Sequence, residues 1–158
     1  MTLQSPFLGE IQVEADKVIT FPTGLIGFSD RTKFLLIQWE EDLPFWYLQS
    51  TEDENLFFLL VEPTRFFPDY QVNVSKEDLK VLALDGPEQG VVLNLVSVPE
   101  GDIQKATVNL QGPLVINPDE RLGKQVVLHP SPYTTKHPLF QDRGDEDQEP
   151  ESRSSGAL

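Results

Sequence analysis

Short apolar stretches alternate with turn residues along this chain, and most of the apolar stretches have the length of a β-strand. Leu56-Phe-Phe-Leu-Leu-Val61 is an unbroken apolar run closed by Pro63, the pattern of a buried strand. Gly9 to Val13 alternates apolar and polar residues like a half-buried strand. Lys17 to Phe21 follows after an Ala15-Asp16 turn, which predicts a first hairpin. Phe34–Ile37 and Phe45–Leu48 read as paired strands around the acidic loop Glu40-Glu41-Asp42. A second acidic loop, Glu52-Asp53-Glu54, leads into the Leu56 run, and carboxylates at such loop tips are expected to be solvated. Further strand patterns cover 91–96, 105–110, 113–116 and 124–128.

One helix is predicted over Ser75–Leu82. Ser75 caps it, Asp78 completes a capping-box pattern, and Gly86-Pro87 stops it. About nine short strands with one short helix predict a mostly β fold, a small antiparallel β-barrel-like domain, because closure removes exposed sheet edges. The loop from Phe21 to Asp30 contains Gly24 and Gly27, three apart, which suggests positive φ or close backbone approach. Its Leu25, Ile26 and Phe28 then need cover from neighbouring strands or from a partner.

Length and composition fit this picture: 158 residues make one domain, 39% of them apolar, with 10 glycines and 13 prolines for turns. The domain is expected over residues 1–140. Beyond Phe140 the chain turns polar, and 141–158 hold only Ala157 and Leu158 as apolar residues, so a disordered acidic tail is expected there. That tail has six acidic and two basic residues of a chain whose net charge is −14, so residues 1–140 keep a net −10. Such a body repels phosphate backbones, which argues against direct nucleic-acid binding, and attracts a basic partner protein. Phe45, Trp39, Trp46 and Tyr47 could stack on bases, but the 12 basic residues form no run.

The longest apolar run is six residues, far short of a membrane span, and the first ten residues carry neither a basic start nor a signal-like apolar stretch. A cytoplasmic location without membrane association is expected. No cysteine is present. His129 and His137 stand eight apart without metal-ligand spacing, Gly123-Lys124 lacks the rest of a phosphate loop, and no Gly-x-Ser-x-Gly elbow occurs. Acidic neighbours such as Glu40-Glu41 and Glu77-Asp78 point in different directions. No catalytic residue, metal site or cofactor is expected.

Five blocks carry a resemblance: Phe21-Pro-Thr-Gly-Leu-Ile-Gly-Phe28, Pro44-Phe-Trp-Tyr-Leu-Gln-Ser50, the segment Leu56 to Tyr70 with its Phe66-Phe67-Pro68-Asp69-Tyr70 turn, Thr107 to Asn117, and Gly123 to Leu128. In that order, from about Phe7 to Leu139, the chain resembles the FliW family of bacterial flagellar assembly factors. The resemblance implies a compact β-barrel-like fold without catalytic activity. It also implies two protein partners: flagellin, and the RNA-binding translational regulator CsrA. An export chaperone that shields flagellin without binding CsrA is the alternative.

Three aromatics around a Pro-Asp turn either form a lid over the core, which pattern alone favours, or present an apolar surface. Phe66, Phe67 and Tyr70, with Asp69 beside them, are one candidate anchor for the amphipathic ends of flagellin. Tyr133, His137, Leu139 and Phe140 form a second candidate patch, or else a last segment docked on the barrel. Lys136 stands where the resembled family commonly has arginine, which weakens any bidentate contact there.

Overall fold

The computed structural model describes residues 2–6, 9–38, 40–129 and 131–140; the tail expected over 141–158 lies outside them, as does Trp39. The described strands are β1 Thr2–Ser5, β2 Gly9–Gln12, β3 Ile19–Thr20, β4 Lys33–Gln38, β5 Phe45–Ser50 and β6 Phe57–Val61. They continue with β7 Val91–Ser97, β8 Thr107–Val108, β9 Leu114–Asn117, β10 Leu122–Gln125 and β11 His137–Pro138; the α-helix described among them is α1, Lys76–Val81. Seven strands close into a barrel in the order β7-β6-β5-β4-β3-β10-β9, with β9 returning to β7. Neighbours are antiparallel except β3 and β10, where Thr20 lies opposite Leu122 in parallel register. The fold is mostly β, as the apolar pattern predicts.

Strand alternation sorts the side chains. Ile19, Phe34, Leu48, Leu60, Leu93, Leu114 and Ile116 fill the barrel with Phe21 and Leu25, and Leu36, Trp46, Phe58 and Leu95 pack around them. A second core lies outside the barrel, where Val61, Val108, Val115 and Val126 meet Tyr70, Leu82, Leu84, Leu110, Leu128 and Leu139. The strands between these cores must be apolar on both faces, which is why the Leu56–Val61 run does not alternate.

Two expectations need correction. Gly9–Gln12 pairs antiparallel with Thr2–Ser5, and Lys17–Phe21 is not its hairpin partner. Ala15–Lys17 forms a 3₁₀ turn that delivers Ile19 and Thr20 into the barrel, between β4 and β10. Alternation predicts a strand but does not name its partner.

The helix stops earlier than Gly86-Pro87. Ser75 Oγ accepts from Asp78 N at 3.0 Å, as predicted, but Asp78 gives its carboxylate to Lys124 Nζ at 2.8 Å. Ala83 adopts φ +57°, and Leu84 N donates to Leu79 O while Ala83 N donates to Lys80 O. These two bonds close the helix as a Schellman turn. Asn117 Nδ2 fastens the carbonyls of Leu82 and Ala83 to the barrel at 2.8 and 3.2 Å.

The second acidic loop is stitched to its neighbours. Glu52 Oε1 accepts from Thr32 N and Lys33 N at 2.8 and 3.2 Å, and Glu54 Oε2 accepts from Gln4 N at 2.9 Å. Charged acceptors on backbone amides are among the stronger hydrogen bonds, and Glu52 and Glu54 make them while staying exposed, as expected of solvated loop tips.

One end of the barrel is plugged by the Phe21–Phe28 loop. Both glycines there have positive φ, +68° at Gly24 and +90° at Gly27. They differ in surroundings: a Cβ on Gly24 would meet Phe28 O and Ser29 Cα at 2.6 Å, whereas one on Gly27 meets nothing within 4 Å. Gly24→Ala is therefore expected to cost at least about 3 kcal/mol and Gly27→Ala about 1 kcal/mol, as read from urea unfolding midpoints.

Candidate protein-binding surface

The outer core is roofed by the segment that follows β6. Pro63–Arg65 forms a 3₁₀ turn, Phe67 N donates to Pro63 O at 2.7 Å, and Tyr70 N donates to Phe67 O at 2.9 Å. These turns lay Phe66, Phe67 and Tyr70 over the outside of the barrel, so the lid reading describes their backbone path. The second candidate patch meets them there. The Phe66 ring lies 5.9 Å from Phe45 and 6.0 Å from Phe140. Phe67 lies 5.0 Å edge-on from His137, and Tyr70 lies 4.8 Å from Tyr133. β11, which carries His137, pairs with β8 and brings the end of the described chain back to this layer.

The two sequence patches are thus one aromatic layer. Tyr70 and Leu139 are buried in it, while Phe66, Phe67, Tyr133, His137 and Phe140 are half-buried and keep part of their surface in solvent. Asp69 is exposed at the turn and Lys136 is exposed before β11. Beside Tyr133 runs a cavity of about 520 Å³ between residues 71–78 and 126–133, lined by Gln71, Asn73, Ser75, Val127 and His129 among others. A second cavity, of about 340 Å³, opens at the unplugged end of the barrel over Ile19, Leu93 and Ile116, with Glu62 and Arg121 at its rim. Trp46 Nε1 donates to Glu62 Oε2 there at 2.9 Å.

A buried polar knot holds the layer down. Tyr70 Oη donates to Leu110 O at 2.6 Å and accepts from Asn94 Nδ2 at 3.0 Å. Asn94 Nδ2 also reaches Asn109 O at 2.8 Å. Burial pushes the Tyr70 hydroxyl up to about 12; the Asn94 hydrogen bond opposes this and nearby Tyr133 adds to it. Burial also raises Tyr47. Asn94 was not among the residues singled out from sequence. The available signal was an amide in the middle of Val91-Val-Leu-Asn-Leu-Val96, where a polar side chain inside an apolar strand requires a buried partner.

Among the described residues no group of three or more His, Cys, Asp or Glu side chains is placed to hold a metal ion, and no helix is long and apolar enough to cross a membrane.

Comparison with known proteins agrees in fold and sequence. The chain matches the FliW protein family over residues 2–139. It is 61% identical over 144 residues to the flagellar assembly factor FliW of Natranaerobius thermophilus, covering 91% of this chain and 95% of that one. Against the flagellar assembly factor FliW of Bacillus subtilis it is 34% identical over 139 residues, covering 88% and 96%. A crystal structure of the flagellar assembly factor FliW superposes with a TM-score of 0.84 at 34% identity, over 90% of this chain and 99% of the other. The barrel, its outer layer and these relatives define one class of small β-barrel protein. The chain belongs to the FliW family.

Tyr70→Phe leaves the buried Leu110 carbonyl without its donor and is expected to cost about 1–3 kcal/mol. The pH dependence has a definite sign. The folded state holds the Tyr70 proton more tightly than the unfolded chain, whose hydroxyl titrates near 10.0. The corresponding stability is complete below pH 10 and is lost as pH rises toward about 12. Denaturant melts between pH 9 and pH 12 (about one pH unit apart) should show a smaller alkaline decline in Tyr70→Phe than in the parent, with Tyr47 accounting for part of what remains.

Proposed function

We propose that this protein is a flagellar assembly factor that acts by binding, without catalysis, in the cytoplasm. In this reading residues 1–140 are one domain with two partners. It sequesters the translational regulator CsrA and is released from it by flagellin, so that flagellin synthesis follows demand. Family membership supports the flagellar role. The observation that carries the binding mode is the half-exposed aromatic layer of Phe66, Phe67, Tyr133, His137 and Phe140, assembled from two distant segments on a rigid barrel. Aromatics dominate binding hot spots, and an apolar strip of this kind suits the amphipathic ends of flagellin. Net charge supports the second partner: a chain of net charge −14 draws in a basic RNA-binding protein and places negative charge beside its RNA site. A flagellin chaperone without CsrA binding uses the same aromatic layer and differs only in lacking the second complex.

Calorimetric titration with CsrA and with flagellin, each at low and moderate salt, separates the two readings. Saturable CsrA binding that flagellin abolishes is the expected result; flagellin binding alone leaves the chaperone. Phe67→Ala should weaken flagellin binding by about tenfold or more while leaving CsrA binding within about twofold, since loss of a central aromatic anchor costs more than 1 kcal/mol. CsrA binding should weaken more steeply with salt than flagellin binding does.

A further inference from the structure

The plugged end of the barrel carries an apolar tip that the aromatic layer does not include. Ile26 is 64% exposed and Phe28 39% exposed at the turn of the Phe21–Phe28 loop, against an otherwise acidic molecule. This loop is held at several points. Leu25 is buried inside the barrel, Leu25 and Phe28 exchange backbone hydrogen bonds, and the Phe28 ring stands 5.3 Å from Phe58. Ile26 N donates to Oε1 of the buried Gln125 at 2.9 Å, and Gln125 Nε2 reaches Gly112 O at 3.0 Å. Gly24 admits the close return of the chain that the turn requires. A fixed loop that displays isoleucine and phenylalanine has already met its ordering cost, the condition under which an apolar contact contributes most to affinity.

The charges around the tip give its complement a sign. The loop joins 51–54 through Thr32 N and Lys33 N to Glu52, and through Arg31 to Asp53 at 3.7 Å. Asp30 binds the same guanidinium at 2.7 Å with its own side chain 76% exposed. Asp30, Glu52, Asp53 and Glu54 thus outnumber Arg31 and Lys33 beside the apolar tip. We infer that the Ile26–Phe28 tip is a docking surface for a basic protein with an apolar cleft, and that within the function proposed above this is where CsrA binds. The inference rests on that reading and adds a location to it: the partner with the positive face takes the barrel end, separate from the aromatic layer.

Ile26→Asp and Asp30→Lys test it in the full chain, because both side chains are exposed and neither change opens a core; thermal melts verify the fold. Titration calorimetry against purified CsrA should show binding at least about tenfold weaker for Ile26→Asp, with Asp30→Lys weakened in the same direction. Flagellin affinity should stay within about twofold of the parent for both. Unchanged CsrA affinity in both variants, or equal loss toward CsrA and flagellin, overturns the location while leaving the two-partner reading standing. A parent protein that takes up no CsrA overturns that reading, and the location with it.

Discussion

The outer core depends on how β7 divides its edge. Val91–Leu93 pairs with β9 to close the barrel, and Val96–Ser97, farther along the same strand, pairs with β8. Between these two ladders Leu95 O accepts from Asn109 N at 2.9 Å, and the Asn94 side chain ties down the same departing segment. Its Nδ2 bridges Asn109 O and the Tyr70 hydroxyl, which in turn donates to Leu110 O. The chain leaving β8 for β9 is thereby satisfied at the point where it departs from the sheet. In a buried setting such a network is stabilising when complete and costly when broken, so the split and the lid are energetically one feature. Asn94 Oδ1 is buried with no hydrogen-bond partner among the described residues.

Two cores follow from that split. The barrel interior is filled from seven strands, and the outer core is filled from the loops and helix that the split allows to lie across β6, β7, β9 and β10. α1 is short, and its place is set from outside: Asp78 by Lys124, and its end by Asn117. A two-turn helix is marginal alone, so its stability comes from this docking. Gly123 shows the same economy of space on the inside, where a Cβ would meet the Phe21 ring at 2.5 Å. The outer layer carries the aromatic surface, and the interior carries the loop that displays Ile26.

Local signals in the sequence were sufficient for elements and insufficient for their partners. The Leu56–Val61 run, the Ser75 cap and the paired strands around Glu40–Asp42 were legible because each rests on contacts within a few residues. The pairing of Gly9–Gln12 with Thr2–Ser5 was not, because an alternating strand fits any partner that offers an apolar face. Nor was the helix stop, since a left-handed alanine at position 83 breaks the preference for glycine and is held there by distant Asn117. At the site, each of the two aromatic patches was visible as a cluster, but their union was hidden. Phe66 and Phe140, or Tyr70 and Tyr133, are joined only by the path of the chain around the barrel. Gly24 was readable from its spacing, whereas Asn94 and Gln125 act through partners far along the chain.

The same polar residues connect the two surfaces. From the tip, Ile26 N reaches Gln125, Gln125 reaches Gly112 O, Gly112 N reaches Asn109 Oδ1, and Asn109 O reaches Asn94 and so the Tyr70 hydroxyl. A continuous path of this kind is spatial and does not amount to coupling, which needs an element with two arrangements that both sites bias. This path has strong reasons to keep one arrangement. Asn94 and Gln125 are buried and Asn109 is half-buried, the bonds lie between 2.8 and 3.0 Å, and a shift at Asn94 or Gln125 strands a buried amide. A binding event at the tip therefore meets a stiff frame. If flagellin and CsrA exclude one another on this protein, overlap or charge repulsion between the partners themselves demands less of the fold than a rearrangement through Asn94.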